Sequence, residues 1–336
     1  MLWQKIKLMK LKQTDNQIYN LIKKEEKRQQ EKLVLIPSEN YASQAVREAL
    51  GSVLTNKYSE GEPKKRYYPG NEYIDEIELL ANKRTLKLFG LSDKRWHVNV
   101  KAISAAIANF CVITALLKPG QKIMAMNLPD GGHLSHGWDL PDGRKVTFSS
   151  KIFKIIRYKV EKDAQVLDYN KVYKLARRSF SKGKSGLVIS GGTAYPREIN
   201  HRKMAEIAHS VGAYYLADIA HEAGLVAAKV NRSPFPWADV VTMSTQKTLR
   251  GPRGSIVICK KELASKIDRA IFPGLQGGPF DNNIAAIAVC LKEALSPKFK
   301  IYARQIIRNA KALAMELKKY GFNPVSYTHL RAHETS

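Results

Sequence analysis

The sequence predicts an α/β domain, a mostly parallel mixed sheet flanked by helices on both faces. Three observations predict it. Short apolar runs bounded by turn residues recur along the chain, segments of helical period separate them, and several runs are too continuously apolar to leave one face in water. The chain has 336 residues, 44% of them hydrophobic, which is enough to fill a large core.

The first element is a charged helix over residues 15–32, where Glu25, Glu26, Lys27, Arg28, Glu31 and Lys32 alternate in sign at helical spacing, as on an exposed arm. Residues 58–73 follow, rich in Pro, Gly and Tyr and without periodicity; such a stretch reads as a loop that carries function. Helices are expected over residues 74–89, 106–117, 168–179, 201–211 and 262–271. Strands are expected over 122–126, 152–158, 187–190, 213–217, 240–244 and 255–259. Ligands in such sheets bind beyond the carboxyl ends of the strands, so the residues just after these runs are where chemistry is expected.

Composition narrows the class. No run of about 18 uncharged apolar residues occurs, so no helix is expected to span a membrane. The basic N-terminus lacks the apolar core and cleavage site of a secretory signal; a transit peptide stays open as the lesser alternative, since Asp15 and Glu25 soon follow. Cys111, Cys259 and Cys290 are odd in number and widely spaced, which fits a reducing cytoplasm better than a disulfide scaffold or a zinc site. The charge balance, 56 − 30 = +26, attracts polyanions. The basic residues are nevertheless scattered and lack the aromatic interleaving of nucleic-acid motifs, so they read as solvated faces and nucleic acid is not expected as a partner.

Two residues stand out chemically. Asp218 closes the apolar run Tyr214, Tyr215, Leu216, Ala217, where the plain alternative is a helix N-cap. Lys247 follows a β-branched run and precedes a Gly/Pro loop, where the plain alternative is a surface lysine. Their separation, 247 − 218 = 29 residues, leaves room for one helix and one strand and so puts both at one sheet edge. Pyridoxal phosphate (PLP) needs this pair, a lysine for the Schiff base and an acid on the pyridine nitrogen.

Seven ordered motifs sharpen the reading: residues 35–41 (LIPSENY), 54–61 (LTNKYSEG), 65–68 (KRYY), 127–137 (NLPDGGHLSHG), 218–221 (DIAH), 246–253 (QKTLRGPR) and 272–279 (FPGLQGGP). Together they resemble the serine hydroxymethyltransferases, from about residue 18 to 325. The resemblance implies an aspartate-aminotransferase-like domain of PLP fold type I. It also implies serine–glycine interconversion, with the one-carbon unit passed to tetrahydrofolate. Lys247 resembles the Schiff-base lysine, Asp218 the pyridinium partner, His133 the histidine stacked on the ring and His221 its neighbour on the phenolic side. Thr193 resembles a hydroxyl beside the ring. Ser104, with Ala105 and Ala106, matches the phosphate turn at a helix start, and Gln246 precedes the lysine. Gly277 and Gly278 resemble amides lent to the phosphate from a partner subunit, which implies a homodimer with shared sites. Glu60 looks like the acid–base group for serine and folate, Tyr58 and Tyr68 like active-site tyrosines lent across that dimer. Ser38 resembles a substrate-carboxylate contact, Arg253 an ordering residue of the lysine loop, and Leu128 and Leu134 the walls under the pterin.

The resemblance further divides the chain into a helical arm (1–52), a PLP-binding domain (53–325, with the start of an inter-domain helix near 297–320) and a tail (326–336) without family likeness. The tail reads as a truncation or assembly scar, with the C-terminal small domain and its carboxylate-gripping arginine expected to be missing. Two further departures bear on cofactor affinity. The family's Ser-Gly-Ser turn is Ser104-Ala105-Ala106 here, which removes a hydroxyl and places alanine where glycine could serve an unusual backbone angle. Gln246 stands where histidine is usual. A threonine-type PLP aldolase, or a degenerate PLP-fold protein with a basic binding surface, remain as alternatives.

Overall fold

The computed structural model describes residues 10–161, 166–180 and 186–322; the tail set apart at 326–336 lies outside the described residues. In chain order the elements are α1 (Leu11–Thr14), α2 (Asn16–Glu31), α3 (Gln44–Leu50), β1 (Gly61–Glu62), β2 (Lys65–Arg66), α4 (Glu72–Phe89), β3 (Trp96–Asn99), α5 (Ala105–Leu116), β4 (Lys122–Met126), α6 (Phe148–Ile152), β5 (Lys154–Tyr158) and α7 (Tyr169–Ser179). They continue with β6 (Gly186–Ser190), α8 (His201–Ser210), β7 (Tyr214–Asp218), α9 (Ala223–Ala227), β8 (Val240–Ser244), β9 (Ser255–Lys260), α10 (Ala264–Arg269), α11 (Asp281–Ala294) and α12 (Pro297–Lys319).

Seven strands form one sheet in the order β3-β9-β8-β7-β6-β4-β5. The pairs β4–β5, β4–β6, β6–β7 and β7–β8 are parallel, and β9 runs antiparallel to both β8 and β3. The predicted α/β class holds, with a mixed, mostly parallel sheet. Side chains alternate along each strand, and that period sorts the core into two layers. Ile123, Leu187, Leu216, Val240 and Val257 pack with α5 and α10 on one face. Met124, Val188, Tyr215, Val241 and Ile258 pack with α4, α8 and α11 on the other. Every residue of β6 and β8 is buried, as expected of strands covered on both sides.

The six expected strands are present within two residues of their expected bounds. The structure adds β3, the hairpin β1–β2 and the helices α1, α3, α6, α9 and α11. β3 was not expected: its polar His97 and Asn99 hide it in sequence, but both are taken up by Asp268 of α10, at 2.8 Å each. The 58–73 loop contains the hairpin β1–β2, whose turn uses Lys64 at φ +65°. The helix expected over 262–271 is present as a 3-10 turn at Lys261–Leu263, α10, and wider turns from Ala270, up to a kink at Phe272 ahead of Pro273.

Helix starts follow capping chemistry. Asp15, Ser104, Asp168, Asn200 and Ser296 each accept a first-turn N–H. Helix α2 has no buried residue, and its Ile18, Leu21 and Ile22 form an exposed apolar stripe. No helix among the described residues is long and apolar enough to cross a membrane. All three cysteines are buried and free, and burial pushes each thiol up to about 12.

Candidate active site at the carboxyl edge of the sheet

Asp218 is the last residue of β7 and points to the α5 face, as Leu216 does two residues before it. One carboxylate oxygen accepts from Asn109 Nδ2 at 2.8 Å and His136 Nε2 at 2.9 Å, and the other accepts from Ala220 N at 3.0 Å. The helix-cap alternative is excluded, since the next helix, α9, begins at Ala223 with Glu222 at its cap. Asn109 is fixed in turn: its Oδ1 accepts from Thr242 Oγ1 at 2.7 Å, and Thr242 is the register partner of Asp218 on β8. Burial works to raise the Asp218 pKa, but the His136 hydrogen bond and charge, with His133 and Asn109, outweigh it. The net effect holds the carboxyl well below the usual carboxylate range, so the group stays ionised at neutral pH.

His133 joins this network. Ser135 accepts from Asn109 Nδ2 at 2.9 Å and bonds His133 Nδ1 at 2.7 Å, while the Ser135 amide also donates to Nδ1 at 3.2 Å. Two donors on Nδ1 make it the acceptor nitrogen, which leaves the proton on Nε2. Burial, then the neighbouring His136 and Lys247, against Asp218, lower the His133 pKa to about 4. The imidazole is therefore neutral, and Ser135 fixes its orientation. Asp218, the last residue of β7, and Lys247, beyond the end of the adjacent strand β8, both influence this ring.

Lys247 lies three residues past β8 in a loop stitched largely by backbone. Thr245 N donates to Gly254 O (3.0 Å), Gly251 N to Thr245 O (2.8 Å) and Arg250 N to Lys247 O (3.0 Å). Asn40 Nδ2, from the segment ahead of α3, also donates to Lys247 O at 3.0 Å and reaches Tyr302 Oη of α12 at 2.7 Å. One cavity of about 260 Å³ is lined by Asp218, His221, Gly191, Gly192, Thr248 and Asn40, among others. A neighbouring cavity of about 480 Å³ brings together Ser38, Gln246 and Arg253. Asn40 lines both. Gln246 Oε1 is buried and has no hydrogen-bond partner among the described residues. Arg253 itself is exposed.

Paired glycines bring backbone against Asp218. Gly191 has φ +107°, and a Cβ there would lie 1.9 Å from Asp218 O; one on Gly192 would lie 2.0 Å from Gly131 O. The exposed Thr193 is set by its amide, which donates to Gly131 O at 2.7 Å. Gly191→Ala is therefore expected to cost about 3 kcal/mol or more, read as a lower urea midpoint; an unchanged midpoint contradicts the close approach.

Ser104 caps α5 through the Ile107 amide at 3.3 Å, and Ala105 and Ala106 open that helix. The sequence-based concern about a special backbone angle is corrected. Among the described residues only Lys64, Lys229 and Arg250 are non-glycine positions at positive φ, so alanine carries no strain in this turn.

The remaining expected residues form a second group. Tyr68 Oη donates to Glu60 Oε2 at 2.9 Å, and the rings of Tyr58 and Tyr68 meet edge-on at 6.3 Å. A Cβ on Gly278 would lie 3.2 Å from the Tyr58 ring, and one on Gly277 3.9 Å from Glu60. The Glu60 hydrogen bond raises the Tyr68 phenol pKa. Tyr58 and Tyr68 are 62% and 46% exposed, so this group faces outward. Leu128 is half-buried and Leu134 is 50% exposed; they flank His133 in the chain.

Sequence reading missed Asn109, His136, Thr242 and Asn40 as site residues. Asn109 had a signal, a lone amide inside the otherwise apolar helix α5, where a buried polar group needs partners.

The histidines give a pH prediction. His133 and the buried His201, which bonds Tyr215 Oη at 2.8 Å, both have pKa values lowered to about 4 by burial. An unfolded histidine titrates near 6.5, so between pH 6.5 and 4 the unfolded chain binds more protons and stability is lost as the pH is lowered. The loss is roughly 3 kcal/mol for each histidine. Urea midpoints should be flat above pH 6.5 and drop below it; a flat profile down to pH 4.5 refutes the assignment.

Over residues 11–330 the sequence matches the sequence model of the family described as serine hydroxymethyltransferase.

Proposed function

Because the chain belongs to the serine hydroxymethyltransferase family, we propose that it binds PLP at the Asp218–Lys247 edge and interconverts serine and glycine with tetrahydrofolate as one-carbon acceptor. The observation that carries this reading is the ionised, buried Asp218, placed at the end of the strand next to the one that leads to Lys247. The residues fit PLP. Asp218 keeps a lone pair beyond its three donors, and it lines a cavity of about 260 Å³ together with His221.

When bound, PLP supplies an electron sink for the bond broken at the serine α-carbon. Lys247 would anchor the cofactor, and Asp218 would hold a proton at its ring nitrogen. His133, neutral, would lie against the cofactor, with His221 and Thr193 beside it. Ser104 and the amides opening α5, with the Gln246 side-chain amide, would take the phosphate. Ser38 and Arg253 border the cavity for the substrate carboxylate. Glu60, oriented by Tyr68, holds or moves the proton at the serine hydroxyl, and Leu128 and Leu134 carry the pterin. The outward-facing group of Glu60, Tyr58, Tyr68, Gly277 and Gly278 serves a partner's site in a homodimer. The uncovered stripe of α2 supports such a partner. Three buried free thiols support a cytoplasmic setting.

The test is optical and catalytic. Protein mixed with PLP should develop the visible band of a lysine-linked cofactor and form glycine from serine only with tetrahydrofolate. Folate-independent cleavage of β-hydroxy amino acids transfers the protein to the aldolases. No band, with nucleic acid co-purifying, removes it from catalysis.

A further inference from the structure

We infer that Lys101 is a positioning residue: its buried ammonium, seated between Glu62 and Glu78, ties the hairpin that presents Glu60 to the segment that enters α5 at Ser104. This rests on the acid–base role proposed for Glu60. Lys101 follows β3 and its side chain is 1% exposed, with Nζ 2.5 Å from Glu62 Oε1 and 3.6 Å from Glu78 Oε1. A buried ammonium is costly without such partners, so its place depends on them and theirs on it.

The contacts on either side make Lys101 a junction. Its amide donates to Asn99 Oδ1 at 2.9 Å, and its carbonyl accepts from Gln276 Nε2 at 2.7 Å. Gln276 Oε1 accepts from Ile103 N at 3.3 Å, so the residue before Gly277 is clamped to the residue before Ser104. On the side-chain side, Glu62 belongs to β1. Glu78 also bonds Arg66 of β2 at 2.7 Å, and Asp75 bonds the same guanidinium at 2.8 Å. Arg66 donates to the carbonyls of Ser59 (3.0 Å) and Gly61 (2.8 Å), one on each side of Glu60. The position of Glu60 is therefore transmitted through Arg66 and Glu78 to Lys101.

The charges facing Lys101 are Glu62 from β1, Arg66 from β2, Glu78 from α4 and Asp268 from α10, the last already bonded to His97 and Asn99. Two cations, Lys101 and Arg66, hold three carboxylates, Glu62, Asp75 and Glu78. Burial raises the Glu78 pKa, and Lys101 is the largest influence opposing that. Without the ammonium, Glu78 takes a proton at higher pH and loses its charge against Arg66.

The experiment compares wild type, Lys101→Met, Glu62→Gln and the double variant by amide hydrogen exchange and by turnover. Exchange over residues 59–68, which include the Tyr67 amide bonded to Glu60 O, should quicken about tenfold in both single variants, with the central sheet unchanged. For serine, kcat should fall about tenfold or more, with KM and PLP affinity moving less than about threefold. The acid limb of kcat should move to higher pH in Lys101→Met, which a general loosening would not do. The double variant should lose no more than Lys101→Met alone, since both changes break one contact. Unchanged exchange in both single variants overturns the inference, as does a loss confined to KM or PLP affinity. If Lys101→Met does not fold, Glu62→Gln, half-exposed and milder, decides by the same readings. A wild type without the PLP band sinks the proposed function, while the exchange result still decides whether Lys101 holds the hairpin.

Discussion

Lys247→Ala is expected to abolish the lysine-linked absorbance band and to lower serine turnover by about 10⁴-fold or more, because no other amine takes over a covalent anchor. The fold should survive the change. The loop is held by Thr245, Gly251, Arg250 and Gly254 through main-chain bonds, and by Asn40 on the carbonyl of residue 247, all of which alanine keeps. A thermal melt close to wild type, with no band and no glycine formed, is the expected set of results. A band of normal intensity in the variant would reassign the anchor and undo the site.

Asp218→Asn is expected to be nearly as severe, lowering kcat about 10³-fold. The amide has the same shape but no charge, so it cannot hold a proton at a ring nitrogen. It also meets three donors, Asn109 Nδ2, His136 Nε2 and Ala220 N. Its own NH₂ then faces at least one of them, and an unmade buried hydrogen bond costs about 1–3 kcal/mol. Lower stability and lost turnover should thus appear together, with PLP still able to reach Lys247. Activity within about threefold of wild type would show that Asp218 is structural and that the cofactor ring sits elsewhere.

Much of this site was legible in the sequence because two apolar strands end in chemically costly residues. The run before Asp218 and the run before Lys247 each announce a buried strand, and the interval between them fits one crossover. The strands themselves were legible for the same reason, continuous β-branched and aliphatic text that only a covered sheet explains. What stayed hidden depends on tertiary partners. β3 carries His97 and Asn99, which make sense only beside Asp268. The hairpin β1–β2 is too short and charged to show a period, and it exists because Arg66 is buried against Asp75 and Glu78. Asn109 and His136 gain meaning only when the chain folds them onto Asp218. The alanines after Ser104 suggested a strained turn, yet the local geometry is an ordinary helix start, which a sequence cannot show without its backbone angles.

Helix α5 has a consequence for how this protein can change. Its first residue follows the cap at Ser104, and one and a half turns on, Asn109 grips both Asp218 and Thr242. The helix is thus a ruler, setting about 7.5 Å of axial rise between the two positions. Point changes on its outer side leave that spacing intact. A single inserted or deleted residue between 104 and 109 would rotate Asn109 by about 100° and swing its amide off the sheet. Divergence along this stretch is therefore confined to substitutions, and a length change there marks a copy that has given up the chemistry.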